Sequence, residues 1–285
     1  MVPGMAERAK VWRHKAGELA LDRTRVMGVL NVTPDSFSDG GRYFRPEDAI
    51  RRGLELADQG ADLVDVGGES TRPKADPVSA DEEWRRVAPV LEALGRKADV
   101  PLSIDTRKPE VARKAIDAGA TIVNDVSGLR DARMLPLVAR SGVGVVIMHM
   151  QGDPATMQDH PTYADVTREV RAFLEIRARE AVGTGIPPEL IALDPGIGFG
   201  KSLEHNLTLL RHLDLVAELG HPVVVGVSRK SFLGKIGAGE AGERLAGGIA
   251  AATMAVAHGA HVVRSHDVLD TVRAMRVVDA VLDRR

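Results

Sequence analysis

The sequence contains no cysteine and few aromatic side chains. The absence of cysteine excludes disulfide bonds, thiolate nucleophiles, cysteine-bound zinc and iron–sulfur clusters. Aromatic residues make up only 3% of the chain, too few for a surface on which nucleic-acid bases stack. The formal net charge of −2 also supplies no field that attracts nucleic acid or anionic lipid. We therefore expect no nucleic-acid partner and no membrane partner.

Long apolar runs and a secretory signal are also missing from the sequence. The longest mostly apolar stretches, such as 249–257, are far shorter than the ~20 residues that span a bilayer. The first residues, MVPGMAERAK, lack the charged-then-apolar order of a secretory signal. With 44% hydrophobic and 27% charged residues, the composition is that of a globular protein, and we expect a cytoplasmic location.

Short apolar segments rich in Val, Ile and Leu recur along the whole chain and indicate strands. They span residues 25–33, 61–68, 101–106, 121–127, 143–150, 190–196, 222–228 and 261–267. Their apolar residues are continuous rather than alternating, which is typical of parallel strands covered on both faces. Segments with helical periodicity lie between and after them, including 46–58, 80–97, 108–117, 163–182, 203–218 and 268–283.

Eight strand–helix units in 285 residues predict an α/β fold, a (β/α)8 TIM barrel. An open doubly wound sheet stays an alternative, because the sequence does not show that the first strand meets the eighth. No linker with a shift in composition divides the chain, so we expect one barrel domain over residues 25–285. Residues 1–24 fall outside the repeat and are predicted to form an N-terminal extension that covers the barrel floor.

Every predicted strand ends in polar or charged residues. These residues are Asn31, Glu69, Asp105, Asn124 with Asp125, His149, Asp194, Ser228 with Lys230, and Arg264 with His266. In a barrel of this type the C-terminal ends of the strands meet at one rim, where the chemistry takes place. Some of these side chains would serve equally as helix caps. Their presence on all eight strands nevertheless indicates a functional site.

Two predicted connections on the same rim are long. They cover residues 31–46 and 67–80, whereas strand-to-helix connections in such folds mostly have 2–6 residues. Both are rich in Gly, Pro, Ser, Thr and Asp, the residues typical of surface loops. They are either ordinary surface loops or mobile covers over a ligand, and their shared place on the functional rim favours covers.

Eight motifs in register with the predicted strand ends resemble those of the dihydropteroate synthase family. They are MGVLNVTPDSFSDGG (27–41), DVGGESTRP (65–73), SIDTRKPEVA (103–112), VNDVSG (123–128), MHMQGDPATMQ (148–158), DPGIGFGK (194–201), GVSRKSFLG (226–234) and VRSHDV (263–268). The resemblance implies a barrel fold and a transferase that joins 4-aminobenzoate to a pterin carried as a diphosphate ester. It extends from about residue 25 to the end of the chain.

The resemblance implies a pterin site formed by residues from several strand ends. The matching residues are Asp105, Asn124, Met148, Asp194, Phe199, Lys230 and Arg264. The Asp194 carboxylate matches the group that accepts two N–H donors of the aminopyrimidinone edge, a pairing that suits a carboxylate. Lys230 matches the lysine that donates to the pterin carbonyl and a ring nitrogen. On spacing alone, Asp194 before Pro195 is equally a turn residue.

The resemblance also implies a diphosphate subsite, for which the matching residues are Asn31, Thr71, Arg72, Arg264, Ser265 and His266. Asn31 matches the family residue that helps to hold Mg²⁺, the expected cofactor. Mg²⁺ keeps several waters and needs few protein ligands, so one amide oxygen beside phosphate oxygens is sufficient. The catalytic residues implied by the resemblance are Asp105, Lys230, Arg264 and His266.

The acceptor subsite implied by the resemblance lies mainly on the two long connections. The residues that match a 4-aminobenzoate site, which is also the sulfonamide site, are Phe37, Thr71, Arg72, Pro73 and Ser228. The sequence does not decide whether Arg72 contacts the diphosphate or the carboxylate of the acceptor.

Two other functions share part of this pattern. A methyltetrahydrofolate-dependent methyltransferase would also use carboxylate and Asn contacts to a pterin, but it would not need STRP, SRKS or the R-x-H segment. A pterin-binding paralogue without turnover is the second alternative, although its long connections would be expected to have eroded. The resemblance further implies small-molecule substrates and a homodimer, for which segments 203–218 and 243–258 are the expected contacts.

Overall fold

The computed structural model describes residues 9–33, 45–70, 75–239 and 242–284. Its strands form a two-stranded antiparallel hairpin and an eight-stranded parallel sheet. The hairpin consists of β1 (Val11–His14) and β2 (Gly17–Ala20). The strands of the parallel sheet are β3 (Arg25–Asn31), β4 (Leu63–Gly67), β5 (Leu102–Asp105), β6 (Ile122–Asp125), β7 (Gly144–Met148), β8 (Ile191–Asp194), β9 (Val224–Gly226) and β10 (Val262–Ser265).

The parallel sheet curves into a nearly closed barrel. Its strand order is β8-β7-β6-β5-β4-β3-β10-β9, so β8 and β9 are the two strands that must meet to close it. They meet at one parallel bridge between Leu193 and Val223, where the Leu193 amide donates to the Pro222 carbonyl oxygen at 2.8 Å. The (β/α)8 barrel predicted from the sequence is therefore confirmed, and the open doubly wound alternative is wrong.

The helices cover the outside of the barrel and follow the strands in alternation. They are α1 (Pro46–Asp58), α2 (Ala80–Lys97), α3 (Pro109–Asp117), α4 (Met134–Ser141), α5 (Val166–Gly183), α6 (Leu203–Arg211), α7 (Asp214–Ala217), α8 (Ser231–Lys235), α9 (Leu245–Ala257) and α10 (Val268–Val281). Within the described ranges, none of these helices has the length and apolar composition that crossing a bilayer would require.

Local sequence signals set several helix starts. Ser79 accepts from the Glu82 amide at the start of α2, and Asp165 accepts from two amides at the start of α5. Ser202 and His205 form a reciprocal capping box at the start of α6. The predicted segment 203–218 divides into α6 and α7 around His212, and no residue range was predicted for α4 or α8.

Two apolar layers hold the barrel together. The larger lies between the outward side chains of the strands, such as Val263, and the helices. The smaller fills the barrel near the N-terminal ends of the strands, where Met27 and Val262 pack with the hairpin residue Trp12. Trp12 is fully buried, and its Nε1 donates to the Leu190 carbonyl oxygen at 3.1 Å. The hairpin therefore lies against the end of the barrel opposite the predicted site, while the domain boundary at residue 24 stays a prediction.

Candidate active site at the carboxyl rim of the barrel

Arg264 joins carboxylates from two other strands inside the barrel. Side chains alternate along β10, so Val262 and Arg264 point inward while Val263 and Ser265 point outward. Arg264 Nε donates to Asp65 Oδ2 at 2.7 Å, and its Nη2 donates to Asp105 Oδ2 at 2.8 Å. Predicted site residues from β5 and β10 are thus in direct contact.

Asp65 is the one member of this cluster for which no role was predicted from the sequence. It lies within the apolar run 61–68, is fully buried, and also accepts from Asn124 Nδ2 at 2.9 Å. A buried carboxylate is costly unless it is paired and hydrogen-bonded, so an aspartate inside an apolar strand was itself a signal of a distant partner. Asp65 therefore links Arg264 of β10 to Asn124 of β6.

A small pocket beside this cluster is lined by most of the predicted pterin-binding residues. Its lining comprises Asn124, Val126, Met148, Asp194, Gly196, Ile197, Phe199, Gly226, Lys230 and Arg264. Lys230 Nζ lies 3.8 Å from the centroid of the Phe199 ring, a cation–π contact. Asp194 Oδ1 accepts from the Gly196 amide at 2.7 Å. The pocket thus combines apolar walls with a carboxylate and two cations.

Burial perturbs the ionisable groups of the pocket. It raises the pKa of Asp105 to about 7 against the opposing charge of Arg264, and it raises the pKa of Asp194 to about 6. Burial and the charge of Arg264 together lower the pKa of Lys230 to about 7. Several groups that titrate near neutrality in one cleft are typical of a functional site.

A second cluster forms where β3, β9 and β10 end side by side. His266 Nδ1 lies 3.1 Å from Ser228 Oγ, and the His266 amide donates to the same hydroxyl oxygen at 3.3 Å. Asn31 Nδ2 lies 3.4 Å from His266 Nε2. Burial lowers the pKa of His266 to about 3, so this imidazole is neutral near pH 7. The rim therefore brings together predicted residues from three strand ends.

Ser265 does not join this cluster through its side chain. Its hydroxyl accepts from the Asp267 amide at 3.1 Å and lies 2.8 Å from Thr271 Oγ1 of α10. The reason is the alternation along β10, which turns Ser265 away from the rim face that Arg264 and His266 share. The Ser265 hydroxyl thus supports the start of α10.

Four predicted residues, Phe37, Thr71, Arg72 and Pro73, lie outside the described residues. The described parts of the second long connection are joined by Glu69, whose Oε1 accepts from the Val78 amide at 3.1 Å. The Glu69 carboxylate also lies 3.0 Å from Lys108 Nζ, which in turn contacts the buried Glu83. This ion-pair network ties the connection to the start of α3.

The residues at the rim fit a cation held mostly by substrate oxygens. Within the described ranges no three His, Asp or Glu side chains are grouped as a metal site. Because the amide nitrogen of Asn31 faces His266, its Oδ1 is the atom that a hard cation would use. Mg²⁺ commonly binds through one or two protein oxygens together with phosphate oxygens and water, and the donor set here fits that pattern.

Comparison with known proteins agrees with this geometry. The family model described as "Pterin binding enzyme" matches residues 27–266. A dihydropteroate synthase from Neisseria meningitidis serogroup C is 47% identical over 276 residues, which cover 95% of this chain and 97% of that protein.

Solved structures of the same kind superpose on the barrel. The dihydropteroate synthase of Xanthomonas albilineans with 4-aminobenzoic acid has a TM-score of 0.90 at 48% identity and covers 96% of this chain and 98% of its own. A structure of that protein with 7,8-dihydropteroate has a TM-score of 0.84 at 46% identity, over 93% and 96% of the two chains. The resemblance found in the motifs is confirmed. This chain belongs to the pterin-binding enzyme family and, within it, to the dihydropteroate synthases, which are transferases.

Proposed function

We propose that the cluster at the strand ends carries out the dihydropteroate synthase reaction. In this reaction 6-hydroxymethyl-7,8-dihydropterin diphosphate and 4-aminobenzoate give 7,8-dihydropteroate and pyrophosphate. The observation that carries the proposal is the hydrogen-bonded group of Asp65, Asp105, Asn124 and Arg264 beside the pocket that contains Asp194 and Lys230.

The pterin ring would occupy the pocket with its aminopyrimidinone edge toward Asp194. The ionised carboxylate accepts two N–H donors, and Lys230 donates to the ring carbonyl and a ring nitrogen. Asn124 donates its Nδ2 to Asp65, so it offers the oxygen Oδ1 to the ring. Asn124 would accept from a ring N–H group through this oxygen, and Asp105 would accept from another through its carboxylate. Met148 and Phe199 supply the apolar walls.

The diphosphate would lie at the second cluster, close to Arg264 and His266. The bond from the pterin methylene carbon to the diphosphate oxygen breaks, and its electron pair leaves with pyrophosphate. The amine lone pair of 4-aminobenzoate forms the new C–N bond, and the displaced N–H proton passes to solvent. Arg264 stabilises the negative charge that develops on the leaving group. Much of the remaining rate enhancement comes from holding the two reactants in line.

Asn31 would hold Mg²⁺ together with diphosphate oxygens. When bound, the cation neutralises charge on the leaving group. The acceptor would be held by Ser228 and by Phe37, Thr71, Arg72 and Pro73 of the long connections. The contact of the Ser228 hydroxyl with His266 supports this arrangement, because it would hold the acceptor next to the leaving diphosphate.

The proposed function is tested by following pyrophosphate release and pteroate formation together. We expect equal amounts of both products, and we expect release to require 4-aminobenzoate and Mg²⁺. Tight binding of the pterin diphosphate without turnover would contradict the proposal and favour the paralogue without activity. Methyl transfer from methyltetrahydrofolate, with no pyrophosphate released, would contradict it in favour of the methyltransferase.

The homodimer is also part of this proposal, with a contact through α9, which lies in the expected segment 243–258, and through the neighbouring α10, which takes the place of the expected segment 203–218. Helix α9 contains no charged residue, and its Leu245 and Met254 are exposed. Val277 and Val281 of the adjacent α10 are 65% and 79% exposed, which adds to the exposed apolar surface beside α9, and apolar patches of this kind mark protein–protein contacts. We expect sedimentation to show a dimer for the wild type and a monomer for Met254→Glu. A monomeric wild type would contradict this contact.

We also propose a cytoplasmic location, which cell fractionation would check.

A further inference from the structure

A lysine behind the pterin pocket is almost fully buried. Lys201 follows the segment DPGIGFG (194–200), part of which lines the pocket, and it is only 1% exposed. Its ammonium lies 2.9 Å from His149 Nδ1 and donates to the Phe199 carbonyl oxygen at 2.9 Å and the His149 carbonyl oxygen at 3.4 Å. All three donors of the ammonium therefore have protein partners, on two different connections.

These two connections approach each other unusually closely. A Cβ at Gly196 would lie 1.9 Å from the His149 carbonyl oxygen, and one at Gly200 would lie 2.4 Å from the Gln151 carbonyl oxygen. Both glycines have positive φ, +68° and +59°, a region that other residues rarely adopt. The segment after β8 is thus packed directly against the backbone that follows β7, and Lys201 lies at this junction.

The same junction sets the position of the pocket wall. Phe199 packs with Met148 and Val126 in one apolar cluster, and its ring lies 3.8 Å from Lys230 Nζ. Because Lys201 holds the Phe199 carbonyl oxygen, it fixes the backbone from which this ring projects. A change at Lys201 therefore reaches Phe199 and Lys230, although Lys201 does not itself line the pocket.

We propose that Lys201 is a positioning residue for the pterin, which acts through His149 and the Phe199 carbonyl oxygen to hold the Phe199–Lys230 wall. The inference rests on the proposed function, because it assigns the wall to pterin binding. It predicts that loss of Lys201 weakens the use of the pterin diphosphate and leaves the use of 4-aminobenzoate unchanged.

The charges around this junction support the role. Burial lowers the pKa of His149 to about 2, so its imidazole is neutral and accepts from Lys201. Burial lowers the pKa of Lys201 to about 7, while the nearby Asp194 opposes the shift and Lys230 adds to it. In turn, Lys201, Lys230 and Arg264 each lower the pKa of Asp194, which burial raises. Removing the Lys201 charge would therefore raise the pKa of Asp194 further.

The test compares wild type, Lys201→Met and the control Asp279→Asn in steady-state assays with both substrates. Asp279 is a buried carboxylate near the opposite end of the barrel, where it accepts from the Thr24 amide and hydroxyl. For Lys201→Met we expect the KM for the pterin diphosphate to rise about tenfold, the size expected for one charge-assisted hydrogen bond. The KM for 4-aminobenzoate should stay unchanged, and Asp279→Asn should change neither KM.

The pH profile provides a readout that a loss of folded protein does not affect. In Lys201→Met the acidic limb of kcat/KM for the pterin diphosphate should move to higher pH, because Asp194 has lost a neighbouring cation. His149→Phe, which keeps a ring against Phe173 but removes the acceptor, should raise the same KM selectively. The double variant should raise the KM for the pterin diphosphate barely more than either single substitution, because Lys201 and His149 act as one unit.

Each alternative outcome has a definite meaning. Equal changes in both KM values, or an acidic limb that does not move, would overturn the positioning role. Additive effects of the two substitutions on the KM for the pterin diphosphate would overturn the action through His149. If Lys201→Met does not fold, His149→Phe takes its place in the test, and unchanged KM values for both substrates in that variant would overturn the proposal. A wild type that binds no pterin diphosphate would instead overturn the proposed function together with this inference.

Discussion

Arg264 Nε lies 2.7 Å from Asp65 Oδ2, so a carboxylate in the second strand of the barrel fixes the orientation of an arginine in the last strand. The same Asp65 oxygen accepts from Asn124, and Asp65 itself is fully buried. One side chain that does not line the pocket thus orients two that do. The arrangement gives the pocket a preset geometry before any ligand binds.

Asp65→Asn should impair both folding stability and catalysis. The substitution keeps the shape of the side chain but removes the charge that balances Arg264, so we expect the free energy of unfolding to fall by about 3 kcal/mol. We expect kcat/KM for the pterin diphosphate to fall about a hundredfold, because Arg264 and Asn124 lose their common anchor. Urea unfolding and steady-state kinetics measure the two effects.

Asp62→Asn is the matched control for Asp65→Asn. Asp62 likewise accepts from an arginine, Arg25, and it also accepts from the Val26 backbone amide, but it directly precedes β4, at the end of the barrel away from the rim. The Asp62→Asn substitution should lower the free energy of unfolding and leave kcat/KM of the folded protein unchanged. Equal kinetic effects of the two substitutions would contradict the anchoring role of Asp65.

The pH dependence of pterin use should be bell-shaped. Asp194 must be ionised to accept two N–H donors, so kcat/KM should rise as pH increases through its pKa of about 6. Lys230 must be protonated to donate, so kcat/KM should fall as pH increases through its pKa of about 7. The measurement is kcat/KM for the pterin diphosphate across this interval at saturating 4-aminobenzoate. A flat profile would contradict the assigned protonation states.

Two substitutions of Asn31 should change the magnesium requirement in opposite directions. Asn31→Ala removes the proposed ligand oxygen, and the Mg²⁺ concentration for half-maximal activity should rise about tenfold. Asn31→Asp adds a charged oxygen, so less Mg²⁺ should be needed. The readout is a Mg²⁺ titration of pyrophosphate release at fixed substrate concentrations. Identical titration curves for the two variants would show that Asn31 does not bind the cation.

Trp12 should matter for stability and not for the reaction. Its indole is fully buried at the N-terminal end of the barrel, so Trp12→Ala should lower the free energy of unfolding by about 3–5 kcal/mol. Trp12→Phe loses chiefly the hydrogen bond to the Leu190 carbonyl oxygen and should cost about 1 kcal/mol. Urea denaturation measures both, and a selective change in either KM would show that the hairpin influences the rim.

The barrel strands were predictable because parallel strands covered on both faces give continuous apolar runs. Their order around the barrel then placed Asp105, Asn124, Asp194 and Arg264 at one rim. The hairpin was not predicted, because the strand segments VWRH and GELA are short and mixed in polarity.

The partners within the site were harder to predict from the sequence. Asp65 and Arg264 are 199 residues apart, and only the closed barrel brings them into contact. Ser265 was assigned to the diphosphate as part of the R-x-H segment, but the alternation that aligns Arg264 and His266 turns its side chain toward α10. Lys201 belongs to a recognised motif, yet nothing in its local sequence shows that its ammonium is buried against His149.

The central claim is that the Arg264 cluster drives departure of the diphosphate, and its most direct test is the rate of dihydropteroate formation by Arg264→Ala. Arg171→Ala is the matched control, because Arg171 is also half-buried but donates to the Leu215 carbonyl oxygen on the outside of the barrel. We predict that Arg264→Ala lowers kcat by about 10²–10³-fold while Arg171→Ala remains near the wild-type rate. A folded Arg264→Ala protein that forms dihydropteroate at the wild-type rate would contradict the account.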